Sequence, residues 1–364
     1  MRRSCDDRRI DNNFRKVIEM KKLLALVLTL AMAMTLAACG GSKTETSTPD
    51  DSAQNGDSGE EFTIDLKFGH GNTTEEPIHT YSQAWADAVK EATNGRINIT
   101  IYPAGQLGTL AEMQEAVEYG TLDMTLGDTS LLSNLVPAMG VANLPMLLDS
   151  YEMAEKYYDG EVSQALNEEL AASHNIRPLG WYWNGFRQIG TRVPITCVAD
   201  CKDIKLRSPE ADIYMDTFNL LGMKPTPLPW GETYSAYESG IVDGMETTTI
   251  AMATQGFHKV GGNVCRSNHM ISVVGPVINE QVWQSIPAED QQLMLDLLAE
   301  QVAAEREVTI TDEDGYFEQM AADGANITKF EDPQELVDLF TPYWTEYAEQ
   351  AGASDVLESI LAMK

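Results

Sequence analysis

Between Phe62 and Leu126 the chain alternates two hydrophobic periods, and this alternation restricts the possible folds more than any other feature. Phe62, Ile64, Leu66 and Phe68 recur at every second residue, the spacing of a half-buried strand. After the loop GHGNTTEEP, Ile78, Tyr81, Trp85, Ala88 and Val89 keep helical spacing until Asn94-Gly95 stops the helix. Ile97, Ile99 and Ile101 return to the strand period. Leu110, Met113, Ala116 and Val117 then form a second helix closed by Gly120, and 122–126 a third strand. Strand, helix, strand, helix, strand predicts a parallel sheet covered by helices. Ligands of such sheets sit beyond the carboxyl ends of the strands. That rule singles out the loops after Phe68 and Leu126, and with them His70, Asn72 and Asp128.

The same logic restarts further on. A strand-like run, 176–183, leads into Asn184-Gly185 and Arg187; 203–207 is a short strand ending at Arg207; a helix follows with Ile213, Met215, Phe218 and Leu221 inward, ended by Gly222. Pro225, Pro227 and Pro229 hold the chain extended up to Trp230-Gly231-Glu232, where another helix begins. Pro287, with Glu289 and Asp290 in the first turn, opens a helix long enough to span two lobes. At 364 residues the chain exceeds what one hydrophobic core usually serves, so two lobes are expected.

Arg187 and Arg207 stand out against the charge of the chain, which is formally -31. So acidic a surface repels phosphate backbones and anionic headgroups, which argues against nucleic-acid or polybasic membrane contact. A guanidinium offers a planar fork that fits a carboxylate, each charge-assisted bond contributing roughly 1.5–3 kcal/mol. The two arginines are therefore read as an anion clamp.

The first 38 residues are different in kind, with eight Lys and Arg against four acids. Met20-Lys21-Lys22, the apolar run 23–38 and the small-residue end make a signal peptide whose true start is Met20. Leu36-Ala37-Ala38-Cys39-Gly40 resembles a bacterial lipobox, which makes Cys39 the lipidation site. Residues 39–61, rich in Ser, Thr, Gly and acids, form a tether that cannot bury enough apolar surface to order itself. Cys197, Cys201 and Cys265 remain within the fold; they show no metal-site spacing, and a Cys197–Cys201 bridge stays open. There is no phosphate loop, HExxH or GxSxG, and the five histidines show no ligand spacing, so no cofactor, metal or catalytic residue is expected.

Several segments carry a specific resemblance: TNGRINITIYPAGQLG (93–108), YGTLDM (119–124), NGFRQI (184–189), DIKLRSP (203–209), PTPLPWGETYSAYESGIVDGME (225–246) and SNHM (267–270). In this order and spacing the chain resembles the solute-binding proteins of tripartite ATP-independent periplasmic (TRAP) transporters, of the C4-dicarboxylate-binding type. The resemblance implies an α/β, two-lobe periplasmic-binding-protein-like fold of type II, with crossing strands and a long lobe-spanning helix. It implies lobe I from 62–184 with 273–312 and lobe II from 185–272 with 313–364. It also implies capture of a small organic acid and delivery to membrane permease subunits, without catalysis, by an extracytoplasmic protein whose only membrane contact is its lipid anchor. A receptor that presents its ligand to a sensor protein is the alternative.

Carried over by the resemblance, Arg207 is the main carboxylate partner, Arg187 the second donor, Trp230 an aromatic against the ligand and Asp128 a contact for hydroxyls. Thr247 and His70 complete the expected set. Met245-Glu246-Thr247-Thr248 stands where relatives often have Gln-Glu-Asn-Pro, Leu131 where some have a polar contact, and Gly71 leaves one contact position bare. These departures favour a smaller or less polar acid than a sialic-acid-like polyol.

Overall fold

The computed structural model describes residues 62–364; the expected leader, Cys39 and the tether lie outside the described residues. β1 (Ile64–Gly69), β2 (Ile97–Tyr102) and β3 (Met124–Asp128) are parallel, in the order β2-β1-β3. The helix α1 (Pro77–Ala92) starts on a proline and buries Ile78, Trp85, Ala86 and Val89; α2 (Leu110–Glu118) starts on a Thr109–Glu112 capping box. β3 begins two residues later than the sequence pattern predicts. The N–H groups of Thr121 and Leu122 still close on the Ala116 carbonyl, so this stretch belongs to the end of α2.

The run 176–183 is not one strand. It breaks into β4 (Ile176–Pro178) and β5 (Tyr182–Thr191), with Gly180 between them pressed so close to Gly275 that a Cβ on Gly275 would lie 1.9 Å from the Gly180 carbonyl oxygen. The remaining strands are β6 (Lys205–Ser208), β7 (Lys224–Pro227), β8 (Gly244–Thr248), β9 (Asn263–Arg266), β10 (Ile271–Asn279) and β11 (Asn326–Lys329). β6 starts later than expected because Asp203 turns with φ +64. The full order is β2-β1-β3-β10-β5-β8-β6-β7, with β4 on β10 and β9 joining β5 to β11. Pro225 and Pro227 lie in β7, the last strand of that order, where missing N–H groups are tolerated.

β5 joins the two halves of this sheet. Its first residues pair antiparallel with β10, and 187–191 pair antiparallel with β8. Between them Gly185 faces Ser272 while Trp183 faces Val273, so Asn184 is an extra residue, and Gly185 takes φ +93, a conformation that favours glycine.

Three helices complete the frame. In α3 (Asp212–Leu220) Tyr214, rather than Met215, is the buried side chain. α4 (Ala288–Ala322) has 35 residues and is about 52 Å long at ~1.5 Å per residue. It supplies Met294, Leu298 and Val302 to the core around β1 and β3, and Phe317 and Met320 to the core around Met245 and Val264. One rigid element thus shares both cores. α5 (Pro333–Gln350) is tied by Tyr343 to Asp216 and by Trp344 to the Pro145 carbonyl. Cys197, Cys201 and Cys265 are free thiols. Among the described residues no helix is long and apolar enough to cross a membrane.

Candidate functional site

A cleft of about 470 Å³ opens where the carboxyl ends of β3, β6 and β8 converge on the loop after β1. Strand order explains why the two arginines meet there. β8 lies between β5 and β6, with Arg187 of β5 opposite Thr248 and Arg207 of β6 opposite Met245. Glu246 and Thr247 occupy the two positions between those partners.

Arg187 is neutralised within the protein. Its Nε donates to Glu246 Oε2 at 2.5 Å and its Nη2 to Oε1 at 2.7 Å, while Nη1 reaches Ser272 Oγ at 3.3 Å. The guanidinium lies over the Tyr214 ring, 4.8 Å from its centroid. Burial works against both charges, but Glu246 outweighs it and raises the pKa of Arg187 above its ordinary value. For Glu246, 0% exposed, Arg187 and His269 overcome burial and hold the carboxyl down at about 2. His269 Nε2 stands 3.6 Å from Glu246 Oε2.

Arg207 is in the opposite condition. It is 3% exposed, and its Nε and Nη2 both donate to the Leu228 carbonyl, at 3.0 and 2.7 Å. Among the described residues its buried Nη1 has no hydrogen-bond partner, and no carboxylate is paired with it. Burial lowers its pKa to about 10; Glu246 opposes that shift and the nearby Arg187 adds to it. The other arginines of the described chain show how unusual this is. Arg96, Arg177, Arg266 and Arg306 are each paired with a carboxylate, and Arg192 is exposed and donates to the Tyr237 carbonyl. A buried cation without a counter-ion is strongly unfavourable unless something completes it.

The cleft brings together five of the six side chains expected from the sequence: Arg207, Arg187, Trp230, Asp128 and Thr247. Trp230 stacks near Arg207, 5.5 Å from guanidinium carbon to ring centroid, and is backed by Phe257. Asp128 caps the short helix after β3, its Oδ1 accepting from the Ser130 N–H and hydroxyl. His70 is the exception. It is 0% exposed, packed edge-on against Phe68 and 3.2 Å from His79, and does not line the cleft; its loop reaches the cleft through Gly71 and Asn72 instead. Burial, with His79 adding, lowers the His70 pKa to about 4, so it brings no positive charge.

Sequence reasoning missed Asn184, the extra residue of the β5 bulge, and Tyr214, the platform under Arg187. Asn184 was legible as part of NGFRQI, but a bulge depends on the register of a distant partner strand. Tyr214 was hidden because helical spacing allows Met215 to point inward equally well. A larger groove, of about 1040 Å³, runs along α4 past Trp181, Trp183 and Arg306. Its arginines, Arg177 and Arg306, are both satisfied by carboxylates, so it holds no unpaired cation. No group of acids, histidines and cysteines among the described residues could hold a metal ion.

Residues 68–350 match the family model described as bacterial extracellular solute-binding protein, family 7. The C4-dicarboxylate-binding periplasmic protein DctP of Rhodobacter capsulatus is 27% identical over 83% of this chain and 90% of its own length. A TRAP periplasmic solute-binding protein from Polaromonas sp. JS666, solved with D-erythronate, superimposes with a TM-score of 0.78 at 26% identity, covering 82% of this chain and 99% of that one. A second, from Ralstonia eutropha H16 with bound (S)-2-acetolactate, gives 0.78 and 26% over 82% and 98%. The relatives matched over this fold are solute-binding receptors, not enzymes. The chain belongs to the bacterial extracellular solute-binding proteins of family 7, the solute receptors of TRAP transporters.

Proposed function

We propose that the protein captures a small organic acid between two lobes and delivers it to the membrane permease of a TRAP transporter, held at the membrane by a lipid on Cys39. The unpartnered, buried Nη1 of Arg207 carries this reading. A ligand carboxylate placed there gives Arg207 the counter-ion it lacks, with Arg187 as the adjoining cation, Trp230 packed against the ligand and Thr247 and Asp128 as further polar contacts. Lobe I then comprises 62–184 with 273–312 and lobe II 185–272 with 313–364. The bulge at Asn184-Gly185 and the shared core of α4 support that division.

The test is thermal unfolding across mono- and dicarboxylates, keto acids, sugar acids and aromatic acids. A ligand at ~100 times its Kd stabilises by about 2.7 kcal/mol. Arg207→Ala should abolish that shift while retaining the native circular dichroism, and Arg207→Lys should weaken it, because a point charge does not reproduce the guanidinium fork. An unchanged ligand shift in Arg207→Ala would refute the clamp.

A further inference from the structure

We infer that this cleft selects monocarboxylates over dicarboxylates, and that Asp128, which lines it at the end of β3, sets the preference. The inference rests on the carboxylate reading and goes further by counting the charges available to a ligand. Among the described residues lining the cleft only Arg187 and Arg207 are cationic, and none is a lysine or histidine. Arg187 spends two donors on Glu246 and the third nitrogen on Ser272, so its charge is already matched. One uncompensated cation remains, Arg207, enough for one carboxylate.

The rest of the lining carries four acids, Glu76, Glu112, Asp128 and Glu210, beside the neutral polar Asn72, Thr109, Asn184 and Thr247 and apolar side chains. Asp128 uses Oδ1 on Ser130, while Oδ2 has no hydrogen-bond partner among the described residues. Glu76 is buried, its carboxylate accepting from Asn72 Nδ2 at 2.7 Å and Gln255 Nε2 at 3.0 Å. Glu112 and Glu210 stand at the rim, and Leu110, Leu131 and Val274 fill the space between. A second carboxylate on a ligand confined to about 470 Å³ would meet these acids with no cation to offset them. A hydroxyl in the same place donates to the free oxygen of Asp128. Repulsion of the wrong ligand, added to attraction of the right one, is how a site of fixed size discriminates.

The experiment is isothermal titration at pH 7.5 with matched pairs that differ at the far end only: butanoate and succinate, 2-hydroxybutanoate and malate, 2,3,4-trihydroxybutanoate and tartrate, a hexonate and the corresponding hexarate. The tightest-binding member should be a monoacid, favoured at least tenfold over its diacid. Asp128→Asn, which keeps a helix-capping side chain, should reduce that ratio at least threefold by improving the diacid. Leu131→Lys, which adds a cation in the same wall, should do so further. A diacid as the tightest binder, or a ratio unmoved in both variants, overturns the inference while leaving the carboxylate reading intact, provided Arg207→Ala removes the binding. Absence of binding by every acid, or binding that survives Arg207→Ala, overturns the carboxylate reading itself.

Discussion

At the scale of single residues, the two arginines differ by what surrounds each guanidinium, and the difference predicts opposite consequences of removing them. Arg187→Ala leaves Glu246 fully buried without its bidentate partner, with His269 beside it and Arg207 further off, and should lower unfolding stability by about 3–5 kcal/mol in urea titrations. Arg207→Ala removes a buried cation that has no counter-ion, and should stay within about 1 kcal/mol of the parent. The pH dependence follows the same pair. The Glu246 carboxyl lies at about 2 when folded, against an ordinary value of 4.5, so the unfolded chain binds the proton more readily. Its stabilisation is complete above the unfolded value and is lost as pH falls through the folded one. The sequence displayed both arginines in segments of similar look. It could not show that Glu246 belongs to one of them, because that pairing joins positions 59 residues apart.

At the scale of elements, α4 carries two buried carboxylates onto the strand that joins the halves of the sheet. Glu305 accepts from the Trp183 N–H at 2.9 Å and from Thr309, and Glu313 accepts from Thr249 and Tyr151, whose hydroxyl also receives the Phe186 N–H. Burial raises the pKa of Glu305 to about 7, against the lowering effects of Thr309, the Trp183 N–H and Arg306, and raises that of Glu313 as well. The sign is opposite to that of Glu246. A folded value above the unfolded 4.5 means the native state holds the extra proton, so the Glu305 contribution is greatest below 4.5 and declines as pH rises through 7, by on the order of 3 kcal/mol. Glu305→Gln, which keeps an acceptor for Trp183, should raise the melting temperature at pH 8 and leave it nearly unchanged at pH 5. Melting curves of both proteins across this range test it. The helix itself was legible from Pro287 and the acidic first turn. The break between β4 and β5 was not, since nothing local marks the close approach of Gly180 to Gly275.

At the scale of the whole molecule, the halves of the sheet are joined through β5, β10 and α4, and further bonds cross the mouth of the cleft. Gln255, after β8, donates to Glu76 at the start of α1, and Asn134 donates to the Glu210 carbonyl at 3.4 Å. Gln255→Ala should therefore weaken ligand binding about fivefold, equivalent to ~1 kcal/mol, mainly through faster release, with little change in the stability of the ligand-free protein. Stopped-flow fluorescence follows this directly, because Trp230 lines the cleft. Sequence periodicity by itself determined the α/β class, the parallel strands, the long helix and the segment that carries the cations, since each is written in the spacing of neighbouring residues. Tertiary structure alone decided which cation is left without a counter-ion among the described residues, that His70 is buried behind its loop, and that four acids share the cleft with the arginines. Those properties depend on which distant residues exclude water from a charge and which ones neutralise it, and no local pattern encodes either.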